Sequence, residues 1–170
     1  MVEVIAEVGV GRVTHRAVAT RAGVPLGATT YYFPTLSDLI NSGLEELAER
    51  ARAELRFWAE ELDVEDLPAA LTRVVHEYLG DRSRALLECE LYLAAARNPK
   101  LLPLAQIWLE GMRELLEPIT DTGTAHAVTA LIDGVLLQAV VTGADLDQDN
   151  LRSALRKLLA DGEGVRPPHS

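Results

Sequence analysis

The sequence predicts an all-α protein of about nine helices, with a three-helix head followed by a larger helical body. Three observations lead there. Apolar residues recur at three-and-four spacing nearly everywhere, and no segment alternates strictly over the length of a strand. Aromatic residues, which favour sheets, are only 5% of the 170 positions. Thr, Ser, Asp, Gly and Pro bracket the periodic runs as helix starts and stops. Hydrophobic residues at 48% and charged residues at 25% supply a real core, which a disordered chain lacks.

The first forty residues read as three short helices, 1–8, 14–22 and 26–32, punctuated by Gly9, Gly11 and Gly23. Val4, Ile5 and Val8 lie at helical spacing and must pack inward. Thr14 is a good N-cap, and Ala17, Val18 and Ala22 give the second helix an inward face. Ala19 allows a close helix crossing, and Gly23 permits the left-handed backbone of a tight turn. Val24 can plug the junction, and Pro25 suits a helix start. This is the grammar of a helix-turn-helix, whose second helix enters the major groove of DNA. Charge agrees with it. Residues 9–34 hold Arg12, Arg16 and Arg21 and no acid, a net +3, against −13 for the rest of the chain. A basic face on an acidic body gathers phosphate contacts at one end. The competing reading is that the three arginines form an ordinary solvated surface.

The body follows without a flexible linker, because the boundary between a head at 1–40 and a body at 41–170 falls in a helix that starts near Leu36. Residues 45–56 (EELAERARAELR) are strong helix formers with opposite charges three and four apart. Leu67–Leu79 carries an apolar stripe of Leu67, Ala70, Leu71, Val74, Val75, Tyr78 and Leu79. Ser83 can cap a helix through Ala96, ended by Asn98-Pro99. A helix over about 101–117 is stopped by Pro118. Thr122 or Thr124 can cap a long helix to about Thr142, ended by Gly143. Asp147 caps the last helix, with Leu151, Leu155, Leu158 and Leu159 on one face, Gly162 beyond its end and a frayed tail at 164–170.

Several function classes are excluded or disfavoured. A net charge of −10 opposes nonspecific binding to nucleic acid or anionic membranes. Cys89 is the only cysteine, so no intrachain disulfide and no Cys-rich zinc site can form. The N-terminus lacks the basic start and long apolar run of a signal peptide, and the apolar stretches near the C-terminus are split by Asp133. A soluble, cytoplasmic protein without a membrane partner is the expectation. His15, His76, His126 and His169 show no metal spacing. Cys89 and His76 as nucleophile and base would sit in a mid-helix stretch without an exposing turn. The flanking Glu88 and Glu90 would raise the thiol pKa rather than lower it. With no phosphate-loop or cofactor motif either, neither an enzyme nor a cofactor is expected.

Gly9-Val10, Thr14, Val18-Ala19, Arg21-Ala22-Gly23-Val24, Gly27, Tyr31, Phe33-Pro34 and Leu39 together resemble the tetracycline-repressor (TetR) family of transcriptional regulators. The resemblance is close over the first forty residues and architectural beyond them. It implies a DNA-binding regulator, a repressor released from a palindromic operator by a small-molecule effector of unknown identity. It places Thr14 and His15 near phosphates, Arg16 near the groove edge, and Leu26, Gly27, Ala28, Thr30 and Tyr32 on the DNA-facing side of the second helix. Tyr31 is either a phosphate contact or core packing, and Phe33 belongs to the hinge core. Three departures from the family pattern stand out. Only eight residues precede Gly9, which marks a shortened first helix. Leu36 stands where a phosphate-contacting lysine is common. Thr29-Thr30 and Tyr32 replace stronger base readers, so one head should bind weakly and need a dimer.

In the body, Trp58, His76, Tyr78, Cys89, Tyr92, Trp108 and Met112 are the large or polar-tipped residues on otherwise apolar helices. They either line an effector cavity or are ordinary core. Residues 124–142 carry one acid and no Lys or Arg in 19 positions, so more than one side of that helix needs cover. Val128, Leu131, Ile132, Val135 and Leu136, with Leu151, Leu155 and Leu158 of the last helix, are expected to build a two-fold homodimer. The alternative is a helical homodimeric interaction protein that has lost DNA binding.

Overall fold

Short-range capping sets where the helices begin and end. The Thr14 Oγ1 accepts the Ala17 N–H at 3.1 Å and starts the second helix. Gly23, with φ +67°, ends it in the left-handed region, and the Val24 N–H donates to the Ala19 carbonyl at 3.0 Å to close the turn. The structure, a computed structural model, describes residues 2–161, by backbone alone at 2, 3, 6, 10, 100 and 161. The expected Gly162 stop and the tail at 164–170 lie outside the described residues. Among the described residues there are nine α-helices, two short 3-10 turns and no strand. The helices are α1 (Val2–Val8), α2 (His15–Ala22), α3 (Leu26–Tyr32), α4 (Leu36–Glu61), α5 (Leu67–Leu79), α6 (Arg82–Arg97), α7 (Leu102–Leu116), α8 (Thr122–Thr142) and α9 (Gln148–Asp161).

The caps of the later helices are mostly aspartates. Asp66 accepts the Ala69 N–H at 3.2 Å at the head of α5, and Asp147 accepts the Asn150 N–H at 3.0 Å at the head of α9. Asp81, rather than Ser83, caps α6 by accepting the Arg84 N–H at 3.1 Å. Asp121, rather than Thr122 or Thr124, caps α8 by accepting the N–H groups of Gly123 and Thr124 at 2.9 and 3.0 Å. A carboxylate at an N-cap adds favourable charge at the positive end of the helix dipole, which a hydroxyl does not. At α4 the cap is reciprocal. The Asp38 N–H donates to Thr35 Oγ1 at 3.1 Å, and the Thr35 N–H donates to Asp38 Oδ2 at 3.0 Å.

Packing divides the chain into two compact units, and the divisions fall inside α4, α6 and α7. One unit takes the chain up to Ala51 together with Leu86–Ile107. Its core joins Val4, Ile5, Val13 and Val18 of the head to Leu39, Leu44 and Leu47 of α4 and to Leu87, Leu91 and Ala95 of α6. Ile5 is fully buried, a contribution of about 1.5–3 kcal/mol. That burial holds α1, whose seven residues would not stay helical alone. Ala19, not Ala22, completes the inward face of α2, and Val24 is 40% exposed instead of plugging the junction.

The other unit takes Arg52–Ala85 and the chain from Trp108 onward. In it α5, α8 and α9 pack on one another. Gly111 of α7 leaves room for Leu55 of α4, since a Cβ there would lie 2.4 Å from Leu55 Cδ1. The dimer face expected from sequence is partly spent within the single chain. Val128 and Leu155 are fully buried, and Ile132 and Leu151 nearly so. Their side chains face their own core and are not open to a second copy. Leu131, Val135, Leu136 and Leu158 stay half-buried, beside the exposed Leu137 and Val141. One charge does not break the apolar run as expected. α8 is long and apolar enough to cross a membrane by length and composition, with a mean hydropathy of 1.5.

Candidate nucleic-acid interface

The head presents α3 with one side inward. Thr29 is its buried residue, with Oγ1 donating to the Leu26 carbonyl at 2.8 Å. Leu26, Gly27, Thr30, Tyr31 and Tyr32 are exposed, and Ala28 is half-buried. A Cβ at Gly27 would meet nothing within 4 Å, so that side of the helix is open. Tyr31 is 79% exposed and Tyr32 73%, which removes core packing as the role of Tyr31. The two rings meet edge to face with centroids 5.2 Å apart. Edge-to-face contact orients both rings without hiding either phenol. Phe33, in contrast, packs against the core of the unit, as expected for a hinge residue.

The first turn of α2 lies at the helix end where backbone N–H groups and the dipole favour an anion such as phosphate. Thr14 and Arg16 are exposed there, and His15 is half-buried with its Nδ1 lacking a hydrogen-bond partner among the described residues. Thr14 Oγ1 is already accepting the Ala17 N–H, so its hydroxyl hydrogen is what remains to donate to a phosphate.

The three arginines are not equivalent. Arg21 Nη1 pairs with Glu7 Oε1 at 2.8 Å, so an acid of α1 partly neutralises it. Arg12 Nε donates to the Val8 carbonyl at 2.8 Å and fastens the turn after α1. Among the described residues Arg16 makes no ion pair, which leaves it as the cation best placed to reach outward. Residue counting over 9–34 missed Glu7, because the acid lies outside that window and reaches Arg21 only through folding. Leu36 is 38% exposed at the start of α4, an apolar side chain where a lysine would have offered charge.

Residues of the body expected to hold an effector are divided between the two units. Trp58, Tyr78 and Trp108 meet in one aromatic cluster, and Met112 is buried in the same unit. His76, although only two residues from Tyr78, is exposed and lies 3.3 Å from Gln148 Nε2. It lines a cavity of about 590 Å³ with Gly80, Arg82, Val140, Asp145 and Gln148. Cys89 and Tyr92 belong to the first unit, both half-buried, and the Tyr92 hydroxyl donates to Glu88 Oε1 at 2.6 Å. Glu88 is 6% exposed, a buried acid that sequence reading took only as a neighbour of Cys89. Its Tyr92 partner at i+4 was the available signal. Among the described residues no group of three or more His, Cys, Asp or Glu is arranged to hold a metal ion.

α6 also touches the head. The Glu90 carboxylate lies against Gly9, where a Cβ would come 3.1 Å from Glu90 Oε2. Together with the shared core, this ties the first turns of the head to α6 of the same unit.

The family described as "Tetracyclin repressor-like, C-terminal domain" matches residues 62–161. No curated protein matches the chain. Among solved structures, a member of the TetR family from Streptomyces coelicolor A3 is 42% identical, covers 92% of each chain and superposes with a TM-score of 0.81. The multidrug binding protein EbrR complexed with proflavin is 42% identical over 92% of this chain and 94% of that one, with a TM-score of 0.74. The same protein complexed with malachite green is 41% identical over 92% of each chain, with a TM-score of 0.77.

Proposed function

The chain belongs to the TetR family of transcriptional regulators, and on that premise we propose that it is a repressor that binds a palindromic operator as a homodimer and is released by a small-molecule effector. The head at 1–40 reads DNA, and the body at 41–170 binds effector and partner. The observation that carries the reading is the outer side of α3: five exposed residues, two of them tyrosines, on a helix whose one buried side chain points the other way.

In this reading Thr14, His15 and Tyr31 contact phosphates, and Arg16 lies at the groove edge. Leu26, Gly27, Ala28, Thr30 and Tyr32 face the bases. Methyl groups of Ala28 and Thr30 suit a thymine methyl, and phosphate contacts fix the register. The effector reaches residues among Trp58, His76, Cys89, Tyr92, Trp108 and Met112. EbrR is a multidrug binding protein solved with several small molecules, which supports an effector site in the body. α6 carries Tyr92, whose hydroxyl donates to Glu88, and also Glu90, whose carboxylate lies against Gly9 of the head. The second copy covers the open strip of α8, namely Leu131, Val135, Leu136, Leu137 and Val141, with Leu158 of α9. Covering that strip with protein rather than lipid accounts for the apolar length of α8 in a cytoplasmic protein.

A salt-dependent gel shift with Arg16→Ala tests the reading. The unmodified chain loses affinity steeply as salt rises, because bound phosphates release counterions. Arg16→Ala should cost about 1–3 kcal/mol if the side chain reads a base edge. A loss uniform across sequences, with a shallower salt slope, would assign it to phosphate instead. No binding at any salt defeats the regulator reading.

A further inference from the structure

The helix that would enter the groove, α3, carries no side chain that reads a base by charge or by an amide. Between Arg21 and Asp38 the chain has no charged residue and no Asn, Gln or His. Those are the side chains that pair with base edges in the major groove: Arg or Lys with guanine, Asn or Gln with adenine, Asp or Glu with cytosine. The two threonine hydroxyls of α3 are turned back on their own helix. Thr29 Oγ1 donates to the Leu26 carbonyl at 2.8 Å. Thr30 Oγ1 lies 3.2 Å from the Gly27 carbonyl and 3.4 Å from the Leu26 carbonyl, so its one hydrogen is spent there.

Thr30 is nevertheless exposed. With its hydroxyl held against the helix, the branched β-carbon is left to offer its methyl group to the outside. The surroundings are of the same character. Val24, Leu26, Tyr31, Tyr32 and Leu36 are all exposed large hydrophobic residues of this one segment, and a patch of that kind marks an interaction surface. A Cβ at Gly27 would meet nothing within 4 Å, so no side chain of the protein screens the middle of the patch. The remaining polar groups on the side chains of α3 are the phenols of Tyr31 and Tyr32, at its C-terminal end.

We propose that α3 identifies its operator by the 5-methyl groups of thymine, so that the base pairs beneath it are A·T. The inference rests on the DNA-binding reading above and names the base chemistry of the site. Thymine alone among the bases puts an apolar group into the major groove. The side chain of Leu26, the Ala28 Cβ and the Thr30 methyl shed water against such a group, and they gain nothing from the polar edge of guanine or cytosine. Phosphate contacts from the first turn of α2 hold the helix in register and carry no sequence information themselves. Each thymine methyl covered in this way contributes about fourfold in affinity, the value of one apolar carbon removed from water.

The test starts by selecting duplexes with a random core on the full chain. The enriched duplex is then rebuilt with each thymine replaced in turn by deoxyuridine, which deletes the methyl and nothing else. Every enriched half-site should contain thymine, and at least one replacement in each should weaken binding about fourfold. At that position 5-methylcytosine paired with guanine restores the methyl among different hydrogen-bonding groups, and it should bind about fourfold tighter than cytosine. Thr30→Val keeps the methyl and removes the hydroxyl, and should bind within about twofold of the unmodified chain. Thr30→Ser keeps the hydroxyl and removes the methyl, and should bind about fourfold weaker. It should also lose the distinction between thymine and deoxyuridine at one position. Helical circular dichroism checks that both variants fold, and the deoxyuridine scan uses the unmodified chain, so it stands without them. Half-sites lacking thymine, a scan without effect, or Thr30→Val weakening binding as much as Thr30→Ser overturns the proposal and leaves the regulator reading standing. A pool from which no duplex is enriched at any salt defeats the regulator reading and this inference with it.

Discussion

Asp133 is the only acid in residues 124–142, and burial alone pushes its carboxyl from the ordinary 3.8 up to about 6. The folded chain therefore holds the Asp133 proton more tightly than the unfolded chain does. Stability from this group is highest at low pH, falls as pH rises from the ordinary carboxylate range through about 6, and is lowest above that. The gap is roughly two pH units at about 1.4 kcal/mol each, or about 3 kcal/mol. Asp133 keeps partial solvent contact, which trims the figure to about 2 kcal/mol. Asp133→Asn keeps the shape and removes the charge. It should be more stable than the unmodified chain by about 1–2 kcal/mol near pH 8, and indistinguishable from it near pH 4. Urea unfolding at one fixed protein concentration across that range measures the difference, the fixed concentration holding any association constant. An Asn variant that is less stable near pH 8 would refute the reasoning. It would mean that the ionised carboxylate finds a partner, across a dimer for instance, which compensates its burial.

Three other substitutions separate the roles of neighbouring residues. Leu155→Ala should cost about 2–5 kcal/mol in urea unfolding, because the side chain is fully buried within one chain. Val141→Arg, at 73% exposure, should change stability of the single chain by less than about 0.5 kcal/mol. It should nevertheless convert the sedimenting species to the 18.5 kDa monomer, and a dimer unchanged by it would rule out the open strip of α8 as the interface. Gly23→Ala meets no atom within 4 Å, so its cost, about 1 kcal/mol, is that of the left-handed backbone alone. Operator affinity and thermal unfolding of the head should fall together, and a neutral outcome would show that the turn tolerates another conformation.

Helix starts and stops could be read from the sequence because capping acts over three or four residues. Thr14 and Gly23 bound α2, Leu67–Leu79 is helical end to end, and Asp147 and Gly143 stand at their expected helix ends. The same locality failed where two capping residues lay close together. Asp121 beside Thr122 and Thr124, and Asp81 beside Ser83, are decided by a carboxylate's stronger pull on N–H groups at a helix dipole. The outward side of α3 was legible only through the family resemblance, which places Leu26, Gly27, Thr30 and Tyr32 there; these are exposed, and Thr29 is buried.

What depends on distant contacts was decided by the tertiary structure. An amphipathic helix states its own inward direction, but α8 is apolar on every side and states none. Sequence alone could not separate Val128 and Ile132, which face the core, from Leu137 and Val141, which do not. Glu7 on Arg21, Glu90 against Gly9, and Arg84 between Tyr78 and Glu54 join residues that the chain brings together only after its helices pack. Charge runs and hydrophobic stripes carry one-dimensional information about which face a residue occupies. Which face of another helix it then meets is fixed by crossing geometry, and that exists only once both helices are in place.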